Sequence, residues 1–199
     1  MISIPKALVH LSSDATIRSV IEQIDLSKTD PAGNVYDGLL SSICSQQLSV
    51  KAAASIYGRF LDLFDGDPSP DKLLAATVEQ LRAVGLSYRK ASYVHNVAAY
   101  FQQHQLIDYD WSTMDDTAII DRLTQIKGVG VWTVQMILMF ELERPDVMPV
   151  GDLGIQNAMK KLYDLNTEKR QLENEMLEIA ASWSPYRSIA CRYLWQYYD

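Results

Sequence analysis

Helical periodicity recurs along most of this 199-residue chain and constrains its fold more than any other feature. Apolar residues return every three or four positions, and no run shows the period-two alternation rich in Val, Ile and Thr that marks a strand. The connecting segments are short and carry Gly, Pro and Asp. The sequence therefore predicts an all-α fold. Its predicted helices cover 14–24, 34–45, 49–64, 70–75, 77–83, 88–104, 115–124, 131–141, 153–163, 167–182 and 185–198.

Several predicted helices begin with a side-chain capping signal. Ser49 directly precedes an apolar-periodic run, and Thr77 with Gln80 matches a capping box. Thr167 is predicted to open the long helix that follows it. These signals fix the predicted helix starts more firmly than periodicity alone.

Length and composition favour one globular unit. Hydrophobic residues make up 48% of the chain and charged residues 22%, which is ordinary for a globular protein. No long linker divides the sequence, so two packed lobes are favoured over two independent domains. The segment Met1–His10 lacks the apolar core of a secretory signal. The most apolar stretch, 131–142, is too short to span a bilayer and is predicted to be a buried helix.

The cysteines and histidines predict no metal centre. Cys44 and Cys191 are the two cysteines of the chain, too few for a four-cysteine zinc or iron–sulfur site. His10, His95 and His104 show no metal-ligand spacing. We predict an intracellular, metal-poor protein.

The formal net charge of −7 argues against a basic nucleic-acid-binding face. Net charge does not describe how charge is distributed, however. Backbone N–H groups at a helix N-terminus also bind phosphate without lysines, so the charge does not exclude DNA.

A glycine turn lies between two helical patterns in the segment Leu123–Thr133. Gly128 and Gly130 are both compatible with positive φ and with close approach of a phosphate to the backbone. The N–H groups after them are the unpaired donors of a new helix. The alternative is a tight αα-hairpin whose glycines serve only as caps. The fuller pattern Leu-x-x-Ile-x-Gly-Val-Gly-x-x-Thr is far more specific than Gly-x-Gly and favours the phosphate-binding turn over this alternative. Its predicted apolar anchors are Leu123, Ile126 and Val129.

Three segments carry a resemblance to a known family: Ser42–Ala53, the glycine turn, and Val147–Gln156. On these the chain resembles the helix-hairpin-helix DNA glycosylase superfamily, and within it the 3-methyladenine DNA glycosylase II (alkylpurine) branch. The resemblance runs from about Asn34 to the C-terminus.

The resemblance implies a two-lobed helical bundle with an active-site cleft between the lobes. Lobe one would span about 31–124, and lobe two about 1–30 together with 131–199. The helix-hairpin-helix motif, 123–133, would lie at their junction.

Asp152 stands between Pro149-Val150-Gly151 and a helical pattern. Taken alone it predicts an N-cap aspartate. The resemblance implies that it is the catalytic carboxylate at the mouth of the cleft, and the two roles are compatible. A helix N-terminus favours the ionised form, and an anion stabilises the positive charge that builds on deoxyribose as the base leaves. Alkylated purines already carry positive charge, so no separate general acid is needed.

The resemblance also assigns the base pocket and the reaction outcome. Relatives that cut the strand carry a lysine where this chain has Trp132, so the implied product is an uncleaved abasic site. Trp132 and Met136 share a helix face, and Trp195 matches another pocket aromatic. An ordinary core tryptophan is the alternative for Trp132. Met136 and Gln196 stand where a close relative has tyrosine, which leaves the substrate range open.

The resemblance places the DNA wedge at Gln46-Gln47-Leu48, with Gln47 as first choice; the alternative is a merely polar loop. It assigns phosphate binding to the hairpin residues and a monovalent Na or K ion to three main-chain carbonyls. The hairpin residues are Lys127, Gly128, Gly130 and Val131, and the carbonyls are those of Thr124, Ile126 and Val129.

Together these features predict a monomeric, monofunctional glycosylase that acts on double-stranded DNA containing damaged bases, with no required cofactor and no membrane. Two alternatives stay open. One is a glycosylase for another lesion, such as a deaminated purine. The other is a non-catalytic helix-hairpin-helix DNA-binding protein, which has no need of a carboxylate at Asp152.

Overall fold

The computed structural model describes residues 4–26 and 33–198, and every regular element within these ranges is helical. This confirms the all-α prediction for the described residues. The chain divides into two compact units, one formed by Gly33–Ile137 and the other by Met1–Ala32 with Leu138–Asp199. We call them the hairpin unit and the terminal unit. The predicted lobe boundary at residues 30 and 31 lies outside the described residues. None of the described helices is long and apolar enough to cross a membrane.

The described residues form twelve α-helices. In chain order they are α1 (Ile4–Leu11), α2 (Ala15–Ile21), α3 (Val35–Ser45), α4 (Val50–Asp62), α5 (Pro70–Ala75), α6 (Val78–Ala83), α7 (Tyr88–Gln103), α8 (Asp116–Leu123), α9 (Val131–Met136), α10 (Leu153–Tyr163), α11 (Lys169–Ala180) and α12 (Arg187–Tyr198). Two short 3-10 turns cover Trp111–Thr113 and Ala181–Trp183, and a π-helical segment covers Ile137–Glu141.

The predicted helices are found with their ends moved by a few residues, and their caps explain most of the starts. Ser49 accepts the N–H of Ala52 at 3.4 Å, and Thr77 forms the expected capping box. The start predicted at Thr167 is wrong, because α11 begins two residues later and the Thr167 hydroxyl instead donates to Glu175. The sequence patterns also missed α1 and the 3-10 turn at Trp111–Thr113.

The range 131–141 departs most from its prediction of one buried helix. The α-helical part ends at Met136, and the chain continues as the π-helical segment. Trp132 is 44% exposed and Phe140 42% exposed, whereas the residues between them are largely buried. The buried helix predicted there is therefore found only in the middle of the range, whereas residues at both of its ends are exposed.

Helix α7 is the centre of the hairpin unit. It packs against α3, α5 and α6, while α3 also contacts α4 and α9, and α8 packs against α9. Burying these apolar faces is the main stabilising contribution in such a unit. Large side chains that are fully or almost fully buried there include Leu39, Ile43, Phe60, Val94 and Phe101.

In the terminal unit, α10 and α2 both pack against α12. The carboxylate of Asp14 ties three elements of this unit together. It caps α2 by accepting the N–H of Thr16 at 2.8 Å, and it accepts the Tyr163 hydroxyl at 2.8 Å and the Trp183 indole N–H at 2.9 Å. Burial alone would raise the pKa of Asp14, but these hydrogen bonds outweigh it and hold the pKa below its ordinary value.

Candidate active site

Asp152 is one of the few buried polar side chains of the described residues, at 8% exposure. It is the N-cap of α10, as its sequence position predicts, and its Oδ1 accepts the N–H of Ile155 at 2.8 Å. The same oxygen accepts the indole N–H of Trp195 at 2.8 Å. Two donors from different helices therefore fix the orientation of a carboxylate at the positive end of a helix dipole.

Trp195 connects Asp152 to an exposed aromatic residue. Its ring stacks on that of Phe140, with the centroids 5.7 Å apart and the planes inclined by 28°. Phe140 lies on the π-helical segment and is 42% exposed, so it is the solvent-exposed member of this stacked pair. Sequence reasoning named Trp195 as a pocket aromatic but did not predict its bond to Asp152, and it missed Phe140.

Arg192 holds the π-helical segment in place. Its guanidinium donates to the carbonyl of Met139 at 2.8 Å and lies 5.2 Å from the ring centroid of Phe140. Burial lowers the pKa of this arginine, although Glu143 opposes the shift. π-helical turns occur frequently at functional sites, and this one exposes a phenylalanine beside the Trp195–Asp152 pair.

The loop before Asp152 is tied to the start of α12. The carboxylate of Asp146 accepts two bonds from the Arg187 guanidinium, at 2.7 and 2.8 Å, and one from the Ser184 hydroxyl at 2.8 Å. The Ser188 hydroxyl accepts the N–H of Val147 at 2.9 Å. Burial alone would raise the pKa of Asp146, but the bonds from Arg187 and Ser184 lower it below its ordinary value. The ionised form of Asp146, which accepts these hydrogen bonds, is therefore favoured.

The glycine turn has the predicted apolar anchors, since Leu123, Ile126 and Val129 are all buried. Only one of its two glycines uses a positive φ. Gly128 has φ +107°, and a Cβ there would overlap the ring of Tyr93. Gly130 has φ −101°, faces open space and caps α9 without a side-chain bond.

Helix α7 supports this turn along one face. Besides the Tyr93 ring against Gly128, the Asn96 amide donates to the carbonyl of Lys127 at 3.0 Å. The Tyr100 hydroxyl donates to the carbonyl of Arg122 at 3.1 Å. The side chain of Lys127 is exposed, as is Val131. Contacts with α7 therefore support one side of the glycine turn, and the side chains on its other side are exposed to solvent.

Trp132 and Met136 stand one helical turn apart on α9, with Trp132 exposed and Met136 half-buried. The exposure of Trp132 does not match the alternative of an ordinary core tryptophan. Both residues belong to the hairpin unit, whereas Asp152 and Trp195 belong to the terminal unit. Among the sequence-predicted site residues, the structure thus joins Asp152 directly to Trp195.

The turn predicted to carry the wedge lies between α3 and α4. Gln46 is the C-cap of α3, Gln47 adopts a left-handed φ of 59°, and Leu48 is 39% exposed. The Lys90 ammonium donates to the carbonyl of Cys44 at 2.8 Å, which secures the last turn of α3. A left-handed glutamine is strained, and such strain is typical of functional turns.

The carbonyls implied as cation ligands belong to Thr124, Ile126 and Val129. The Ile126 carbonyl accepts the N–H of Val129 at 3.0 Å, and a carbonyl oxygen has a second lone pair for an ion. Hard oxygen donors of this kind suit a monovalent cation. The described residues contain no group of three or more His, Cys, Asp and Glu side chains arranged to hold a metal.

Known proteins match this chain in both sequence and structure. Residues 40–182 match the HhH-GPD superfamily of base excision DNA repair proteins. DNA-3-methyladenine glycosylase 1 of Schizosaccharomyces pombe is 33% identical, in a match that covers 98% of this chain and 87% of that protein.

Two solved structures resemble it closely. One is the S. pombe 3-methyladenine DNA glycosylase in complex with abasic DNA, with a TM-score of 0.83, 33% identity, and coverage of 96% of this chain and 95% of that one. The other is DNA-3-methyladenine glycosidase from Bacillus halodurans, with a TM-score of 0.78, 36% identity, and coverage of 94% and 86%. The chain therefore belongs to the HhH-GPD superfamily of base excision DNA repair proteins, in its 3-methyladenine DNA glycosylase branch.

Proposed function

We propose that this protein is a monofunctional DNA glycosylase that hydrolyses the N-glycosidic bond of alkylated purines, such as 3-methyladenine and 7-methylguanine, and leaves an abasic site. The observation that carries the proposal is Asp152, a buried carboxylate whose Oδ1 is fixed by two donors. Support comes from the relatives, whose names state 3-methyladenine glycosylase activity.

Asp152 supplies what this reaction requires. As the bond between the base and C1′ lengthens, positive charge builds on the sugar, and a fixed carboxylate stabilises it. Water attacks C1′, the base leaves with the electron pair of the broken bond, and Asp152 takes the proton of the water before passing it to solvent. An alkylated purine leaves as a neutral base because it was cationic while attached.

The chain has no lysine at the hairpin position where strand-cutting relatives carry one. Trp132 stands there and has no amine with which to form a Schiff base. The nearby Lys127 has an exposed side chain within the turn. We therefore assign the reaction to water and expect no strand cleavage.

Aromatic faces suit a cationic base because their π-electrons attract positive charge. We assign base contact to Trp132, Met136 and Trp195. Gln47 is our wedge residue, with Leu48 and Gln46 beside it, because it stands on a strained turn. A side chain in the duplex compensates for the stacking lost when the nucleotide is extruded.

We assign phosphate binding to the hairpin residues Lys127, Gly128, Gly130 and Val131. Their backbone N–H groups can bind phosphate even though the chain has a net charge of −7. A Na or K ion held by the carbonyls of Thr124, Ile126 and Val129 would add positive charge there. The protein would act wherever its DNA lies, in the cytoplasm of a bacterium or the nucleus of a eukaryote.

The test is a base-release profile. The protein is incubated without divalent metal on duplex DNA treated with a methylating agent, and the free bases are separated by chromatography. We expect 3-methyladenine and 7-methylguanine, with strands that break only after alkaline treatment. A parallel duplex carrying hypoxanthine tests the deaminated-purine alternative. DNA binding without release of any base would overturn the enzyme proposal and favour the binding-module alternative.

A further inference from the structure

Gly154 lies in the first turn of α10, two residues after Asp152. Glycine in a helix is unfavourable relative to alanine, and Gly154 has no positive φ that would require it. The backbone therefore gives no reason for a glycine at this position. The reason lies in what a side chain there would touch.

A Cβ at Gly154 would lie 3.0 Å from Cδ1 and 3.3 Å from Nε1 of Trp195, and 3.2 Å from Oδ1 of Asp152. These are the ring and the oxygen that form the 2.8 Å hydrogen bond. The missing side chain thus leaves room for the indole to cross the first turn of α10 and reach the carboxylate. Gly151, one residue before Asp152, offers a matched comparison, because a Cβ added there would have nothing within 4 Å.

We propose that Gly154 is a positioning residue, which sets the distance between the Trp195 indole and Asp152 and so fixes the orientation of the carboxylate. It acts through Trp195 and touches no reacting atom. The indole cannot retreat freely, because its ring also stacks on Phe140 at a centroid distance of 5.7 Å. A methyl group at Gly154 must therefore shift the indole or turn the carboxylate.

The consequence for catalysis rests on the function proposed above. A displacement of about 1 Å at a reacting group costs roughly 100-fold in rate, and a shift of part of that distance is expected to cost on the order of 10-fold. Overall duplex affinity should change little, since phosphate contacts dominate it and Gly154 lies outside the hairpin residues assigned to them. The helix itself should form at least as well with alanine.

The experiment compares Gly154→Ala with the matched control Gly151→Ala. Single-turnover base release should fall on the order of 10-fold in Gly154→Ala alone, with duplex affinity and melting temperature kept. Trp195→Phe removes the indole N–H and makes room, so adding Gly154→Ala to that variant should change the rate little. An equal loss in both backgrounds would overturn the proposal, because Gly154 would then act independently of Trp195.

A second readout does not depend on activity. The chain has four tryptophans, and the NMR indole N–H signal of Trp195 is identified by its absence in Trp195→Phe. This signal should move in Gly154→Ala and stay in place in Gly151→Ala. An unmoved signal overturns the positioning role. Absence of base release by the wild-type protein overturns the proposed function instead, while the signal still tests Gly154.

If Gly154→Ala fails to fold, the double variant with Trp195→Phe still tests the proposal. If Gly154→Ala does not fold but the double variant with Trp195→Phe does, the steric conflict lies between Gly154 and Trp195, as proposed. If neither folds, the conflict lies elsewhere and the proposal is wrong.

Discussion

The loop that leads to Asp152 depends on the Asp146–Arg187 ion pair, and removing it should loosen that loop. The two side chains are 26% and 29% exposed and meet through a bidentate contact at 2.7 and 2.8 Å. Exposed pairs contribute about 0.2–1 kcal/mol, and breaking fully buried pairs costs about 3–5 kcal/mol. For this partly buried geometry we expect a coupling free energy of about 1–2 kcal/mol.

The assay is a double-mutant cycle on the free energy of unfolding in urea, with Asp146→Ala, Arg187→Ala and the double variant. A matched cycle on the exposed Asp67–Lys72 pair, whose side chains are 66% and 49% exposed, should give at most about 0.5 kcal/mol. Equal coupling in the two cycles would show that burial and bidentate geometry add nothing to the strength of the Asp146–Arg187 pair.

The same pair has a predictable pH dependence. The pKa of Asp146 is lowered in the folded protein, so its contribution is complete above the unfolded-state pKa of about 3.9. It disappears as the pH falls through the lower folded-state pKa. The stability difference between wild type and Asp146→Ala should therefore narrow below about pH 4. A difference that is constant down to strongly acidic pH would contradict an ionic contribution.

Three further changes test separate parts of the molecule. Gly128→Ala adds a Cβ that overlaps the Tyr93 ring at a φ of +107°, so urea unfolding should show a loss of about 2–4 kcal/mol, together with weaker duplex binding. Unchanged stability would contradict this. Gln47→Gly relieves a left-handed φ of 59° and should raise the free energy of unfolding by up to about 1 kcal/mol, yet slow base release from duplex DNA. Wild-type release would remove Gln47 from the wedge role. Asp14→Ala removes a helix cap and the acceptor of the Trp183 indole, so thermal unfolding should show a loss of about 2–4 kcal/mol that shrinks at acidic pH. A loss independent of pH would contradict the ionic role.

Local sequence signals predicted most of the fold because they act over one or two helical turns. The caps at Ser49 and Thr77, and Asp152 as an N-cap, depend on residues close in sequence. The buried anchors of the glycine turn follow from the same short-range pattern. The missed helix α1, Ile4–Leu11, is only eight residues long, so its apolar periodicity extends over little more than two turns.

The features that could not be predicted from the sequence depend on contacts between residues far apart in the chain. The bond from Trp195 to Asp152 joins positions 43 residues apart, and the packing of α10 against α12 creates it. Phe140 lies exposed on the π-helical segment that follows α9, and no sequence pattern predicted that segment. The role of Gly154 becomes visible only once the position of the Trp195 indole is known.

The catalytic role of Asp152 is tested by comparing two aspartate-to-asparagine variants at the two ends of α10. Asp152→Asn keeps a good N-cap and removes the charge, whereas Asp164→Asn makes the same chemical change at the other end of α10, where asparagine tolerates the left-handed φ of 53°. Single-turnover release of 3-methyladenine is measured for both, with duplex affinity as a control. We predict a loss on the order of 100-fold or more for Asp152→Asn alone, with binding kept. Release at the wild-type rate by Asp152→Asn would show that Asp152 is not the catalytic carboxylate.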